Sequence, residues 1–142
     1  MLVLTTGAYE AIIEHATDDV PREAAGIVAG ERNGDRSLVT SVHRISNVAD
    51  APRVSYELDP TEQYETMQTI ESMGKSILGF YHSHPAGPPG PSRRDRAAAT
   101  WPDRYYLIVS LARRPPVLDA WVWDGTSFRR EVVTVESAAE TE

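Results

Sequence analysis

The segment GFYHSHPAGPPGPSRRD, residues 79–95, decides how the rest of the chain is read. Together with Ser76-Ile77-Leu78 its first half predicts a strand, SILGFYHSH, in which alternate side chains share a face. His82 and His84 then project from one side, about 7 Å apart along the strand. Two imidazoles so placed can share one metal ion. Leu78 and Phe80 are expected on that same face as a dry floor, with Ser83 turned away. Pro85, Pro88, Pro89 and Pro91 stiffen the loop that follows, and Gly87 and Gly90 let it turn sharply. Asp95 comes next, in the first turn of a short helix, RRDRAAAT, capped by Ser92 and stopped before Trp101-Pro102. From there its carboxylate can reach back as a third ligand. Two histidines, one aspartate and a position left open for water is the layout of a catalytic zinc site, because structural zinc sites tend to close with four protein ligands.

Each half of this pattern has a plainer explanation. An H-x-H on a strand can be two ordinary polar side chains, and Ser92-x-x-Asp95 is a capping box in its own right. Their combination around one stiff loop, in a chain with 4 histidines, favours the metal centre. Capping and ligation are also compatible roles. Water activated at such a centre needs a carboxylate to take its proton. Glu23, Glu31 and Glu57 are all candidates, and spacing does not choose between them. His15 and His43 read as a helix-surface residue and a strand residue without a metal role.

Working outward, Tyr9, Ile12, Ile13 and Ala16 recur at helical spacing, so a first helix is expected from Thr6, its hydroxyl as cap, to about Asp18, after a short strand LVLT. AAGIVAGE reads as a buried strand with close backbone neighbours. SLVTSVHRIS and VSYEL are expected strands on their β-branched and aromatic content. Asp59, Pro60 and Glu62 form a strong helix start, with Tyr64, Met67 and Ile70 as the buried stripe. YYLIVSL, VLDAWVW and SFRREVVTV close the chain as three strands, the last two joined across Asp124-Gly125 as a hairpin. The three tryptophans are expected in or over the core. The fold class is α/β: a single domain over residues 1–135, followed by a disordered acidic tail, 136–142.

Composition narrows the function. A chain of 142 residues, 41% hydrophobic and 25% charged, can bury one real core. It has no cysteine, which excludes disulfides, thiolate metal ligands and a cysteine nucleophile. The net charge of -7 argues against nucleic-acid binding, which needs clustered Lys and Arg. The N-terminus resembles neither a signal peptide nor a membrane span, so a cytoplasmic protein is expected. Lys75 is the single lysine beside 13 arginines, a bias that suggests a GC-rich or salt-adapted genome. The local run RRDR at 93–96 reads either as a solvated helix face or as a means of steering an acidic partner toward the cleft.

With these residues in place, the sequence resembles the JAMM, or MPN-plus, metalloproteases. Their pattern is an upstream glutamate, then H-x-H, seven residues, Ser, two residues and Asp. His82-Ser83-His84, residues 85–91, Ser92, Arg93-Arg94 and Asp95 match it without a gap, and PREAAGIVAG, YELDP and GFYHSHP are similar to family segments. The resemblance selects Glu23 as the base. It implies a cytidine-deaminase-like fold with a curved mixed β-sheet flanked by helices, and one Zn2+ per chain held by His82, His84 and Asp95. Glu23 would shuttle the proton and Ser92 would help hold the oxyanion. Family members cleave after the C-terminal Gly-Gly of ubiquitin or ubiquitin-like modifiers. This compact chain is most similar to the haloarchaeal desampylases, which release small archaeal modifier proteins from conjugates. The partners implied are such modifiers and their conjugates, met by a monomer or homodimer. Two rivals remain: a zinc peptidase processing a ubiquitin-like sulfur carrier in cofactor or cysteine biosynthesis, and a non-catalytic MPN scaffold. A Gly-Gly tail is thin enough for a narrow groove, expected between the 86–91 loop and residues 54–58.

Overall fold

The computed structural model describes residues 1–137. In chain order the elements are β1 (Leu2–Thr5), α1 (Thr6–Asp19), β2 (Ala25–Asn33), β3 (Arg36–Ile45), α2 (Pro60–Ser72), β4 (Ser76–His84), α3 (Arg93–Ala98), β5 (Tyr105–Ser110), β6 (Val117–Trp123), β7 (Phe128–Glu131) and β8 (Val133–Glu136). They form one eight-stranded mixed sheet in the order β7-β6-β5-β4-β2-β3-β1-β8. The pairs β1–β3, β1–β8 and β4–β5 are parallel and the rest antiparallel. This is the expected α/β architecture.

The expected closing strand SFRREVVTV is two strands. Phe128–Glu131 pairs with β6 at one edge of the sheet, and Val133–Glu136 pairs with β1 at the other. Val132 alone joins them, and its carbonyl accepts the Leu2 N–H at 2.9 Å. Because one residue spans the two edges, the sheet has to curl on itself. Glu136, placed by the sequence reading in a disordered tail, is the last residue of β8 and bonds Arg36. Residues 138–142 of that tail lie outside the described residues.

Helix α1 covers one face. Its Ala8, Ile12 and Ala16 bury against Leu2, Leu4, Val28, Val39, Leu78, Tyr81 and Leu107. Thr5, not Thr6, is the cap, accepting the Ala8 N–H at 3.1 Å. The other face packs Ile27, Ala29, Phe80 and Tyr106 under α2 through Ile70 and Met67. Trp121 and Trp123 lie against this second core, whereas Trp101 is exposed. Asp59 caps α2 by accepting the Thr61 and Glu62 N–H groups, both at 3.0 Å. Glu62 bonds the Ser46 N–H, and Tyr64 turns to solvent, so the buried stripe of α2 is narrower than expected.

Two bulges flank β2 at the same level. Thr40 is the extra residue opposite Ala29–Gly30, and Leu78 the extra residue opposite Val28–Ala29. Bulges bend a strand and increase its twist. The second one also resets the alternation of β4: Leu78 joins the α1 core while Ile77 and Phe80 join the α2 core. The expected floor of Leu78 and Phe80 on one face is therefore incorrect. Small residues in β2 serve close approach, since a Cβ on Gly26 would strike the Tyr81 ring and the His43 carbonyl.

VSYEL is not a strand. Residues 55–57 carry no regular structure, and Leu58 makes a lone bridge with Asn47. Buried Asn47 takes up the local backbone instead, donating to the carbonyls of Glu23 and Ser55 and accepting the N–H groups of Ala49 and Glu57. Among the described residues no helix is long and apolar enough to cross a membrane.

Candidate metal centre

The reset register of β4 leaves His82 and His84 on the face of Phe80, at the strand's C-terminal end. Their Nε2 atoms converge to 3.2 Å. The proline loop carries the chain into α3, whose first turn brings Asp95 Oδ2 to 3.1 Å from His82 Nε2 and 3.0 Å from His84 Nε2. A tetrahedral ion with bonds of about 2.05 Å separates its ligand atoms by roughly 3.3 Å. The triangle of two imidazole nitrogens and one carboxylate oxygen has the chemistry and the edge lengths to hold such an ion.

Each side chain of the triangle is fixed from behind. His84 Nδ1 donates to the Pro88 carbonyl at 2.6 Å, which in the neutral ring puts the lone pair on Nε2 and aims it inward. The His82 ring stacks on Tyr56, with centroids 4.2 Å apart and planes 22° apart. Asp95 Oδ2 also accepts the Ser92 N–H at 2.8 Å, while Ser92 Oγ accepts the Asp95 N–H at 3.0 Å. The capping box and the metal triangle thus share one oxygen.

Electrostatics follow from this burial. Desolvation raises the Asp95 carboxyl, but the hydrogen bonds from His82 and His84 outweigh it and hold the group far below the usual carboxylate range. Burial pushes His82 down against the pull of Asp95. Burial pushes His84 down as well, yet Asp95 and the Pro88 carbonyl prevail and leave it raised.

Glu23 lies just ahead of β2 with 3% of its surface exposed. A carboxylate oxygen of Glu23 and one ring nitrogen from each of His82 and His84 lie within 4.8 Å of one another. Its Oε1 is buried without a partner. Burial raises its pKa to about 7; the His84 charge opposes the rise and the Asp95 charge adds to it. Such a carboxyl exchanges protons near neutrality. Glu31 and Glu57 are exposed, and only Glu23 among the three candidates joins the histidines.

Ser92, His84 and Glu23 line a cleft of about 240 Å³ with Arg53, Val54 and the proline loop. Both segments expected to border the groove therefore contribute walls, although Tyr56 and Leu58 face a neighbouring cleft of about 370 Å³. Three supporting residues escaped the sequence reading. Ser83 points away from the metal triangle as expected, but its Oγ accepts the Ala24 N–H at 2.8 Å and its N–H donates to the Ala24 carbonyl at 3.0 Å, tying β4 to the residue after Glu23. Asn47 holds the Glu23 carbonyl. Tyr56 backs His82. A serine inside an apolar strand was the available signal for the first; the other two come from a segment without periodicity. His15, expected on the surface, is buried and bonds the Tyr81 hydroxyl at 2.7 Å.

Comparison with known proteins decides the family. The pattern described as prokaryotic homologs of the JAB domain matches residues 5–124. The chain belongs to the prokaryotic JAB family. Among JAB relatives, it is 44% identical to the desampylase of Haloferax volcanii, over 95% of this chain and 96% of that one. It is 34% identical to the CysO-cysteine peptidase of Mycobacterium bovis over 78% of this chain and 73% of that protein. A Desulfitobacterium hafniense protein of known solution structure superposes with a TM-score of 0.89 at 33% identity, covering 96% of this chain and 94% of that one. This JAB fold is the curved mixed sheet with flanking helices that the sequence resemblance implied.

Proposed function

We propose that this JAB protein is a zinc-dependent isopeptidase of the cytoplasm that hydrolyses the bond after the C-terminal Gly-Gly of small ubiquitin-like modifiers and so frees them from conjugates. The observation that carries the reading is the triangle of His82, His84 and Asp95 with Glu23 beside it, one of its carboxyl oxygens buried without a partner. The full-length likeness to a desampylase supports the substrate class.

His82 Nε2, His84 Nε2 and Asp95 Oδ2 would hold one Zn2+. When bound, that ion supplies a Lewis acid to polarise the scissile carbonyl and makes water acidic enough to be deprotonated near neutrality. Glu23 takes the proton from the attacking water and passes it to the departing lysine amine. Its burial makes both transfers feasible near pH 7. The Ser92 hydroxyl accepts from the Asp95 N–H and keeps its own hydrogen, which it donates to the oxygen that becomes negative. Pro88 and Tyr56 hold the two rings so that the histidines do not reorient during the reaction.

Purified protein should cut a Gly-Gly-linked modifier conjugate when zinc is loaded and stop after chelator treatment. Cleavage that persists in the metal-free protein would contradict the proposal. A second reading, processing of a sulfur-carrier protein, is favoured by the likeness to the CysO-cysteine peptidase. Faster hydrolysis of a carrier with an α-linked C-terminal residue after Gly-Gly than of the lysine isopeptide would establish that reading instead.

A further inference from the structure

The chain carries a net charge of -7, yet the rim of its metal cleft is basic. Arg53 lines the cleft beside Glu23 and Ser92. Arg93, Arg94 and Arg96 stand on α3, which begins immediately after Ser92. All four side chains are exposed. Elsewhere on the surface Arg36, Arg44 and Arg130 are neutralised by Glu136, Asp18 and Asp119 at 2.6–3.2 Å. Among the described residues none of the four rim arginines has an ion-pair or hydrogen-bond partner for its guanidinium. Between residues 79 and 100 the chain has one carboxylate, Asp95, and it is turned inward to the histidines. Glu57 faces the neighbouring cleft.

One of these unpaired guanidinium groups lines the cleft and three stand on the helix that follows its Ser92 wall, with Arg94 near enough for its charge to act on Glu23. A guanidinium presents a planar fork that suits carboxylates. Resting on the proposed function, we propose that Arg53, Arg93, Arg94 and Arg96 form a docking rim for the folded body of an acidic modifier, holding its surface carboxylates while its Gly-Gly tail enters the cleft. A short peptide does not reach the arginines of α3 and is cut without their help. The rim therefore sets which modifiers are good substrates, while the metal centre performs the same chemistry on all of them.

The test uses the full-length zinc-loaded protein and the double variant Arg93→Ser/Arg96→Ser; Arg53 is kept because it lines the cleft that the isopeptide itself enters. Arg94 is kept because its charge also acts on Glu23. Three substrates are compared: a Gly-Gly-lysine isopeptide, an acidic ubiquitin-fold protein joined through Gly-Gly to a lysine peptide, and the same conjugate with its surface Asp and Glu changed to Asn and Gln. For wild type, kcat/KM should favour the acidic conjugate over the neutralised one by ~10-fold or more, within the range of electrostatic steering, and the preference should fall as salt is raised. The double variant should lose most of that preference while its kcat/KM on the isopeptide stays within about twofold, which also shows that the variant is folded.

Equal rates on both conjugates for wild type, with the isopeptide still cut, would overturn the docking rim and leave the proposed function standing. A preference that survives undiminished in the double variant would overturn it too. A wild-type homodimer that the double variant dissociates in sedimentation would assign the rim to a second copy of the chain instead. Failure of the wild type to cut even the isopeptide would overturn the proposed function and this inference with it.

Discussion

The Nδ1 of His84 donates to the backbone carbonyl of Pro88 at 2.6 Å, so the loop that leads away from the His82–His84–Asp95 triangle also holds one of its histidines. Trp121 adds a second tie by donating its indole N–H to the Pro89 carbonyl at 3.2 Å. The prolines restrict the loop, and the two bonds fix where it sits.

Replacing Pro88 and Pro89 together by glycine keeps both carbonyls but frees the loop. Removing the partner that orients a metal-bound histidine typically costs 10–100-fold in affinity, and a loop too mobile to hold that carbonyl in place acts in the same direction. Zinc affinity measured by competition with a chelating dye should fall by roughly that factor, with the circular dichroism spectrum unchanged.

Ser83→Ala removes the acceptor of the Ala24 N–H in a fully enclosed position. An orphaned buried donor costs about 1–3 kcal/mol, so urea denaturation should show a loss of that size. The strain falls beside Glu23, and kcat should drop while KM holds. Unchanged kcat would mean that Glu23 is positioned by Asn47 alone.

Gly26→Ala should be among the most damaging single changes outside the metal centre. The added methyl meets the Tyr81 ring and the His43 carbonyl, and the latter is backbone that cannot swing aside. Overpacking usually costs about 1–3 kcal/mol, and here the upper end is expected. The midpoint in urea should fall without a change in slope.

His15 supplies a pH dependence remote from the metal. Burial lowers its pKa below the ordinary 6.5; Asp19 opposes this and Arg44 adds to it. Burial also keeps Tyr81 a neutral hydroxyl, able to donate to His15 Nδ1. A histidine depressed in the folded state leaves stability intact above pH 6.5 and removes it as pH falls through the folded value. Thermal denaturation of wild type should therefore weaken more steeply between about pH 7 and pH 5 than that of His15→Gln. Parallel curves for the two proteins would contradict this.

Much of the metal centre is legible in the sequence because it is local. His82, Ser83 and His84 lie on one strand, and Ser92 and Asp95 on one helical turn, so a period of two and a capping box are enough to place them. Glu23 is different. Three glutamates satisfied the chemistry, and only family resemblance or the fold itself, which lays Ala25 opposite His82, could select among them. The misreadings share a cause. Val132 carries no turn signal, yet β7 and β8 part there because their partners lie at opposite edges of the sheet. Leu78 leaves its expected face because of a bulge that depends on β2. Val54–Leu58 has strand composition, but Asn47, eight to ten residues earlier in the chain, claims its backbone.

The account's central claim is tested most directly with Glu23→Gln, a change that keeps the side chain's shape and removes its ability to carry the proton. Zinc content and cleavage of a Gly-Gly-linked conjugate would be measured on the same preparations. The account predicts one zinc per chain in wild type and variant alike, with kcat in the variant reduced by about 10²–10⁴-fold. A variant that keeps its zinc and cleaves at the wild-type rate would contradict it.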